Sequence, residues 1–230
     1  MDKLTRSLGA VLLGVVAGTL VSVPAWAQVP AEPYSPARFA GPKPSGAIGT
    51  FAWYATGTFS AADVNLVGNA FLPGLALNVW FTPWLSAGAW GTTGAFGGTI
   101  GPVASPFTNA ELELKAKLFQ TGAGLFGSGL TADFGGVFRT IGIGSGTSPK
   151  LGAIFDMNLP ARFALQARLD WAPWLYVNGL QTNVFDYKLG VGHPLWPGFG
   201  LDVGLRGQAV FAPGNTMSLT GPYIGVGYVF

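Results

Sequence analysis

The chain has 230 residues, about half of them apolar and only a tenth charged, with a formal net charge of +2. Ordinary globular domains carry about 25% charged residues, so so low a fraction, with positive mean hydropathy, points to a lipid solvent. The small net charge and the absence of any Lys/Arg cluster argue against nucleic acid as a partner, and a chain without cysteine has no disulfide framework and no thiolate nucleophile or metal ligand.

Residues 1–27 have the layout of a secretory signal. Lys3 and Arg6 give a basic start, an apolar stretch runs from Leu8 to Val23, and Ala25, Trp26 and Ala27 form an A-x-A cleavage pattern. The apolar stretch is shorter than the ~20 residues of a spanning helix, so cleavage is expected, leaving Gln28 as the mature N-terminus. Residues 28–45 hold Pro30, Pro33, Pro36, Pro42 and Pro44 and read as an extended leader. The remainder, 46–230, contains no apolar run long enough to span as a helix. If it enters a membrane, it does so as strands.

Three segments without charge come first. Residues 48–59 set Phe51, Trp53 and Phe59 against Thr50, Tyr54, Thr56 and Thr58, and the aromatics are assigned outward. Residues 71–81 and 85–96 alternate in the same way, with Trp80 and Trp90 on the inward face beside Tyr54. The next segment, 109–119, has the clearest period of two: Leu112, Leu114, Ala116 and Leu118 face one way, and Glu111, Glu113, Lys115 and Lys117 the other. An amphipathic helix would scatter those leucines around its cylinder. Further alternating strands follow. The glycine-rich stretch around Asp133 and Arg139 is the weakest. The later ones carry Lys150 and Asp156, Arg168 and Asp170, Asp186 and Lys188, Asp202 and Arg206, and a last apolar segment reaches Phe230.

About ten strands result, within 8–12, an even count of the kind used by transmembrane barrels. Connections at 82–84, 120–121, 160–161 and 193–198 read as short; those at 61–69, 97–108, 141–149, 172–183 and 212–219 read as longer. Aromatic residues gather where strands end, as interfacial girdles do. Period two alone fits a soluble sandwich or a lipocalin-like barrel equally well, but the solvent face of such a protein should be far more charged. The expected fold is an all-β, antiparallel, up-and-down transmembrane barrel with leucines toward lipid and charges inside.

The C-terminal strand, with Ile224, Val226, Tyr228 and a terminal Phe230 at alternate positions, resembles the assembly signal of bacterial outer-membrane β-barrel proteins. That resemblance covers residues 45–230 as a pattern. It implies export, periplasmic chaperones and the barrel-assembly machinery as partners during biogenesis, and residence in outer-membrane lipid. It names no activity and implies no peptidoglycan-anchoring role.

On this phasing the inward acids are Glu111, Glu113, Asp133, Asp156, Asp170, Asp186 and Asp202, and the inward bases Lys115, Lys117, Arg139, Lys150, Arg168, Lys188 and Arg206. The two lists are equal, which suits an ion-paired filling of a narrow interior or a charged constriction in a small pore. Catalytic machinery is not expected. The chain has one histidine, His193, placed in a turn, so neither His-based acid–base chemistry nor a His-based metal site finds its residues. Glu111 and Glu113 have the chemistry of a glycosidase pair, but the lysines beside them favour ion pairing. The glycine-rich residues 141–146 lack the lysine and following helix of a phosphate loop. No cofactor is expected. Three functions stay open: a structural or surface-interaction barrel, a narrow channel for small solutes or ions, and, least supported, a hydrolase. The oligomeric state leaves no mark on the sequence.

Overall fold

A computed structural model describes residues 45–61, 64–82, 84–98, 105–121, 125–141, 144–177 and 180–230. The expected signal and most of the expected proline-rich leader lie outside these residues. Ten antiparallel strands close into a barrel in which each pairs with its sequence neighbours and the first with the last. They are β1 (Ser45–Ala61), β2 (Val64–Thr82), β3 (Leu85–Gly98), β4 (Ser105–Gln120), β5 (Ser128–Ile141), β6 (Gly144–Asn158), β7 (Ala164–Val177), β8 (Leu180–Trp196), β9 (Phe199–Ala212) and β10 (Asn215–Val229). Closure runs from Ala47↔Val229 to Ala61↔Asn215 and leaves no free edge. The two chain ends of the barrel lie together, and backbone bonds between Gly46 and Phe230 tie them. That end is here the terminal end; the other carries the connections β1–β2, β3–β4, β5–β6, β7–β8 and β9–β10 and is the distal end.

The strands run further than their sequence suggests. The distal connections shrink to 62–63, 99–104, 142–143, 178–179 and 213–214. The expected alternation of short and long loops is therefore corrected: most of 61–69, 141–149, 172–183 and 212–219 is strand. At the terminal end the reverse holds for β4–β5, whose connection spans 121–127, and the β6–β7 turn closes on a 3-10 turn at Pro160–Arg162. His193 is not in a turn. It sits in β8 opposite Leu201, with its ring 4.6 Å from that of Phe163.

Strand length explains the extra chain. At ~3.3 Å per residue and a tilt of ~40°, the 17 residues of β1 rise about 43 Å, against an apolar band of about 25 Å in membrane barrels. The outer wall divides accordingly. From the terminal end upward it is Leu, Ala, Val, Ile and Phe, bounded below by Trp196, Phe199, Tyr228 and Phe230, whose successive rings lie 4.7–6.3 Å apart. Its upper bound is a belt of exposed aromatics, Tyr54, Phe71, Phe138, Trp171 and Phe185, the last two stacked with ring centroids at 6.3 Å. Above that belt the exposed residues are mainly polar, Thr56, Thr58, Asn69, Thr93, Thr147 and Ser218, with Val67 and Phe211 among them.

The interior inverts in step. Within the apolar band it is charged: Glu111 is 2% exposed where its neighbour Leu112 is 69% exposed. Above the belt it is mainly apolar, although Thr182 is buried there too. Trp53, Leu72, Phe107, Val184, Val210 and Leu219 belong to one buried cluster that draws on every strand but β3 and β6, with the half-buried Phe96 of β3 packed against it. This inversion corrects the reading of β1, where Trp53 points inward and Tyr54 outward; Trp80 and Trp90 do face inward, Trp80 buried and Trp90 hydrogen-bonded to Glu113.

One seam interrupts the cylinder. The β6–β7 ladder runs only from Leu151↔Trp171 to Asn158↔Ala164, although β6 begins at Gly144 and β7 continues to Val177. Prolonging that register would set Pro149 against Pro173, and neither has an N–H to donate. A bulge between Ala172 and Leu175 and a hydrogen bond from Ser148 Oγ to the Pro173 carbonyl occupy the break.

Candidate functional site

The charged interior is the only concentration of chemistry among the described residues, and strand order assembles it. Pleating turns Glu111, Glu113, Lys115 and Lys117 of β4 inward. Registers then bring Asp133 of β5 opposite Lys115, and Lys150 of β6 to the level of Glu113 through Gly135. Gly152 stands across from Asp170 of β7, and a β-carbon there would run into the Asp170 carboxylate, so the missing side chain makes room for the acid.

Two cations hold four carboxylates on this wall. Lys150 Nζ donates to Glu111 at 2.7 Å, Glu113 at 2.5 Å and Asp133 at 3.0 Å, with Asp170 at 3.7 Å. Arg168 donates from Nε to Asp170 at 2.5 Å and from Nη2 to Asp133 at 2.7 Å and to Glu113. Lys115 closes on Glu113 at 3.0 Å, and the Trp90 indole N–H donates to the same carboxylate at 2.9 Å. Each carboxylate thus has a cation and each cation several acids, the condition under which buried charges are tolerated.

Two side chains cross the lumen. Arg139 of β5 donates to Asn109 at 3.1 Å and reaches Asp186 of β8 at 2.8 Å, which Gln208 also contacts at 2.6 Å. Arg206 of β9 reaches the uncharged wall, its guanidinium carbon 3.9 Å from the Trp90 ring centre, 5.4 Å from that of Trp53 and 5.5 Å from that of Phe51. Nearer the terminal end, Lys188 donates to Asp202 at 2.6 Å and Gln166 at 3.2 Å, and the Tyr223 hydroxyl donates to Asp202 at 2.9 Å. Lys117 pairs with Gln120 at 2.7 Å near the mouth, and Asp156 is buried. All fourteen inward charges named from the sequence are buried or half-buried, and the structure joins them into these groups. Ile224, Val226, Tyr228 and Phe230 lie exposed on the outer wall.

Sequence reasoning missed the apolar plug above the charges. Its signal was present in β1 and β2: a polar outer run of Thr56, Thr58 and Asn69 facing away from Trp53, Ala55 and Leu72. Among the described residues no cluster of His, Cys, Asp and Glu has the makings of a metal site.

No known protein-family profile matches the chain, and no curated protein does. Solved structures supply the likeness. The outer membrane protease OmpT from Escherichia coli superposes with a TM-score of 0.57 at 12% identity, over 83% of this chain and 98% of that one. Neisserial surface protein A (TM-score 0.36, 12% identity, 79% and 97% covered) and the β domain of the Bordetella autotransporter BrkA (TM-score 0.40, 14% identity, 81% and 99% covered) are further matches. The superposition on OmpT, together with closure on ten antiparallel strands, gives this chain the fold of the bacterial outer-membrane β-barrels. Within that class, the likeness to OmpT reaches the fold and no further.

Proposed function

We propose that this protein is an integral outer-membrane barrel with a structural or surface-interaction role, non-enzymatic, and with a lumen that does not conduct. The carrying observation is the plug. Trp53, Leu72, Val184 and Leu219, from four strands, meet inside the barrel and are each at most 1% exposed. Below them the ion-paired groups narrow the lumen further, which supports a barrel that solutes do not cross. A narrow channel would need both layers to part. The outer wall supports membrane residence: among the described strand residues every charge turns inward, as hydrocarbon requires, since Lys or Arg facing lipid at mid-depth costs about 2–4 kcal/mol.

The non-enzymatic reading is supported by the place of His193. It packs on Phe163 near the terminal end, away from the Glu111/Glu113 cluster. Export through a cleaved signal, handling by periplasmic chaperones and insertion by the assembly machinery, with Ile224, Val226, Tyr228 and Phe230 as the recognised strand, belong to the same proposal.

Planar lipid bilayers test it. The folded barrel should give no discrete conductance steps, whereas Leu72→Gly combined with Leu219→Gly should begin to leak. Regular steps from the wild-type protein would replace this reading with the channel.

A further inference from the structure

Arg206 is the exception in the interior. Lys115, Lys117, Arg139, Lys150, Arg168 and Lys188 each hold a carboxylate or an amide oxygen. The Arg206 guanidinium, by contrast, lies over the rings of Trp90, Trp53 and Phe51 and is attracted by the Asp186 charge, but it makes no hydrogen bond to an acceptor among the described residues. Its side chain borders a cavity of about 70 Å³ inside the barrel, which Asn78, Tyr223 and Gly225 also line. Acids line it too, and each is bonded to another group: Glu113 and Asp170 to Arg168, Asp186, which also attracts Arg206, to Arg139 and Gln208, and Asp202 to Lys188 and Tyr223.

Aromatic faces attract a guanidinium but do not accept its N–H groups. A buried cation whose five donors lack acceptors is costly. A weakly hydrated guanidinium held flat by an indole is also well prepared to receive an anion. We propose that the cavity is an anion site in which Arg206, positioned by Trp90, binds a small monovalent anion between chloride and acetate in size. Such an ion fits a cavity of this volume, since a single water needs only about 10–15 Å³ on the same measure. The site uses only the interior geometry, so it stands or falls separately from the absence of conduction.

Unfolding of the full barrel in detergent, followed by tryptophan fluorescence at constant ionic strength, tests the site. Replacing sodium gluconate by sodium chloride, or by sodium acetate, should raise the unfolding midpoint by about 3 °C or more once the anion exceeds its dissociation constant tenfold, and Arg206→Met should abolish the difference. Equal midpoints in chloride and gluconate for the wild-type protein, or a difference that survives in R206M, would overturn the proposal. If R206M does not fold, chloride-35 line broadening on the wild-type barrel decides: broadening that nitrate competes away supports the site, and its absence refutes it. A conducting barrel with a chloride-dependent midpoint would sink the functional reading alone.

Discussion

Lys150 shows how much one residue carries in the lumen. It sits among four carboxylates, and without it Arg168 and Lys115 alone would face them. Lys150→Met keeps the stem and removes the charge, and the loss of one partner from a buried ionic group costs about 3–5 kcal/mol. Urea unfolding in detergent should show the midpoint falling accordingly; a midpoint within error of wild type would mean that water compensates the acids. Outside the barrel, glycine does similar work for an aromatic. A β-carbon on Gly207 would run into the Tyr187 ring, which lies across β9 and shares a 2.6 Å hydrogen bond with the Thr220 hydroxyl. The charged residues were legible one by one because a charge has only one tolerable side in a lipid-facing wall. Trp53 and Tyr54 were not, because an aromatic is stable on either side, and the threonines next to them face water rather than the lumen.

Among the elements, the β6–β7 pair is the weak one. Beyond Leu151↔Trp171 the two strands lack a shared ladder, and the register that would continue it meets Pro149 and Pro173. Backbone amides without ladder partners exchange through small local openings. Hydrogen exchange in residues 172–177 should therefore run at least about tenfold faster than in 164–170; equal protection of the two halves of β7 would show the seam to be closed. The same prolines hid these stretches in the sequence. Proline and glycine ordinarily demote a strand to a loop, so 141–149 and 172–183 read as loops, although they are strands that stop pairing with each other. The terminal-end turns at 82–84 and 160–161 and the charge-bearing strand at 109–119 carried no such ambiguity.

At the scale of the whole molecule, the chain solves two solvent problems in one cylinder. The lower part is apolar outside and charged inside, and the upper part mainly polar outside and mainly apolar inside, with the belt of Tyr54, Phe71, Phe138, Trp171 and Phe185 between them. A natural chain without cysteine makes depth measurable. A single cysteine at Leu112, labelled with a fluorophore and placed in vesicles, should be quenched by brominated lipid; one at Thr58 should answer to iodide in the water. Lipid quenching at both positions would mean that the bilayer covers the upper part as well. Period two announced the cylinder but not the change of solvent along it, since alternation looks the same whichever face is wet.

The brevity of the distal connections bears on recognition. With two to six residues between strands there, an antibody, phage or neighbouring cell arriving from that side would find almost no loop to grasp. Just below those connections the outer wall presents threonine, serine and asparagine side chains together with Val67 and Phe211, all fixed in place by the sheet, a surface suited to matching by shape and hydroxyl bonding and poorly suited to variation by insertion.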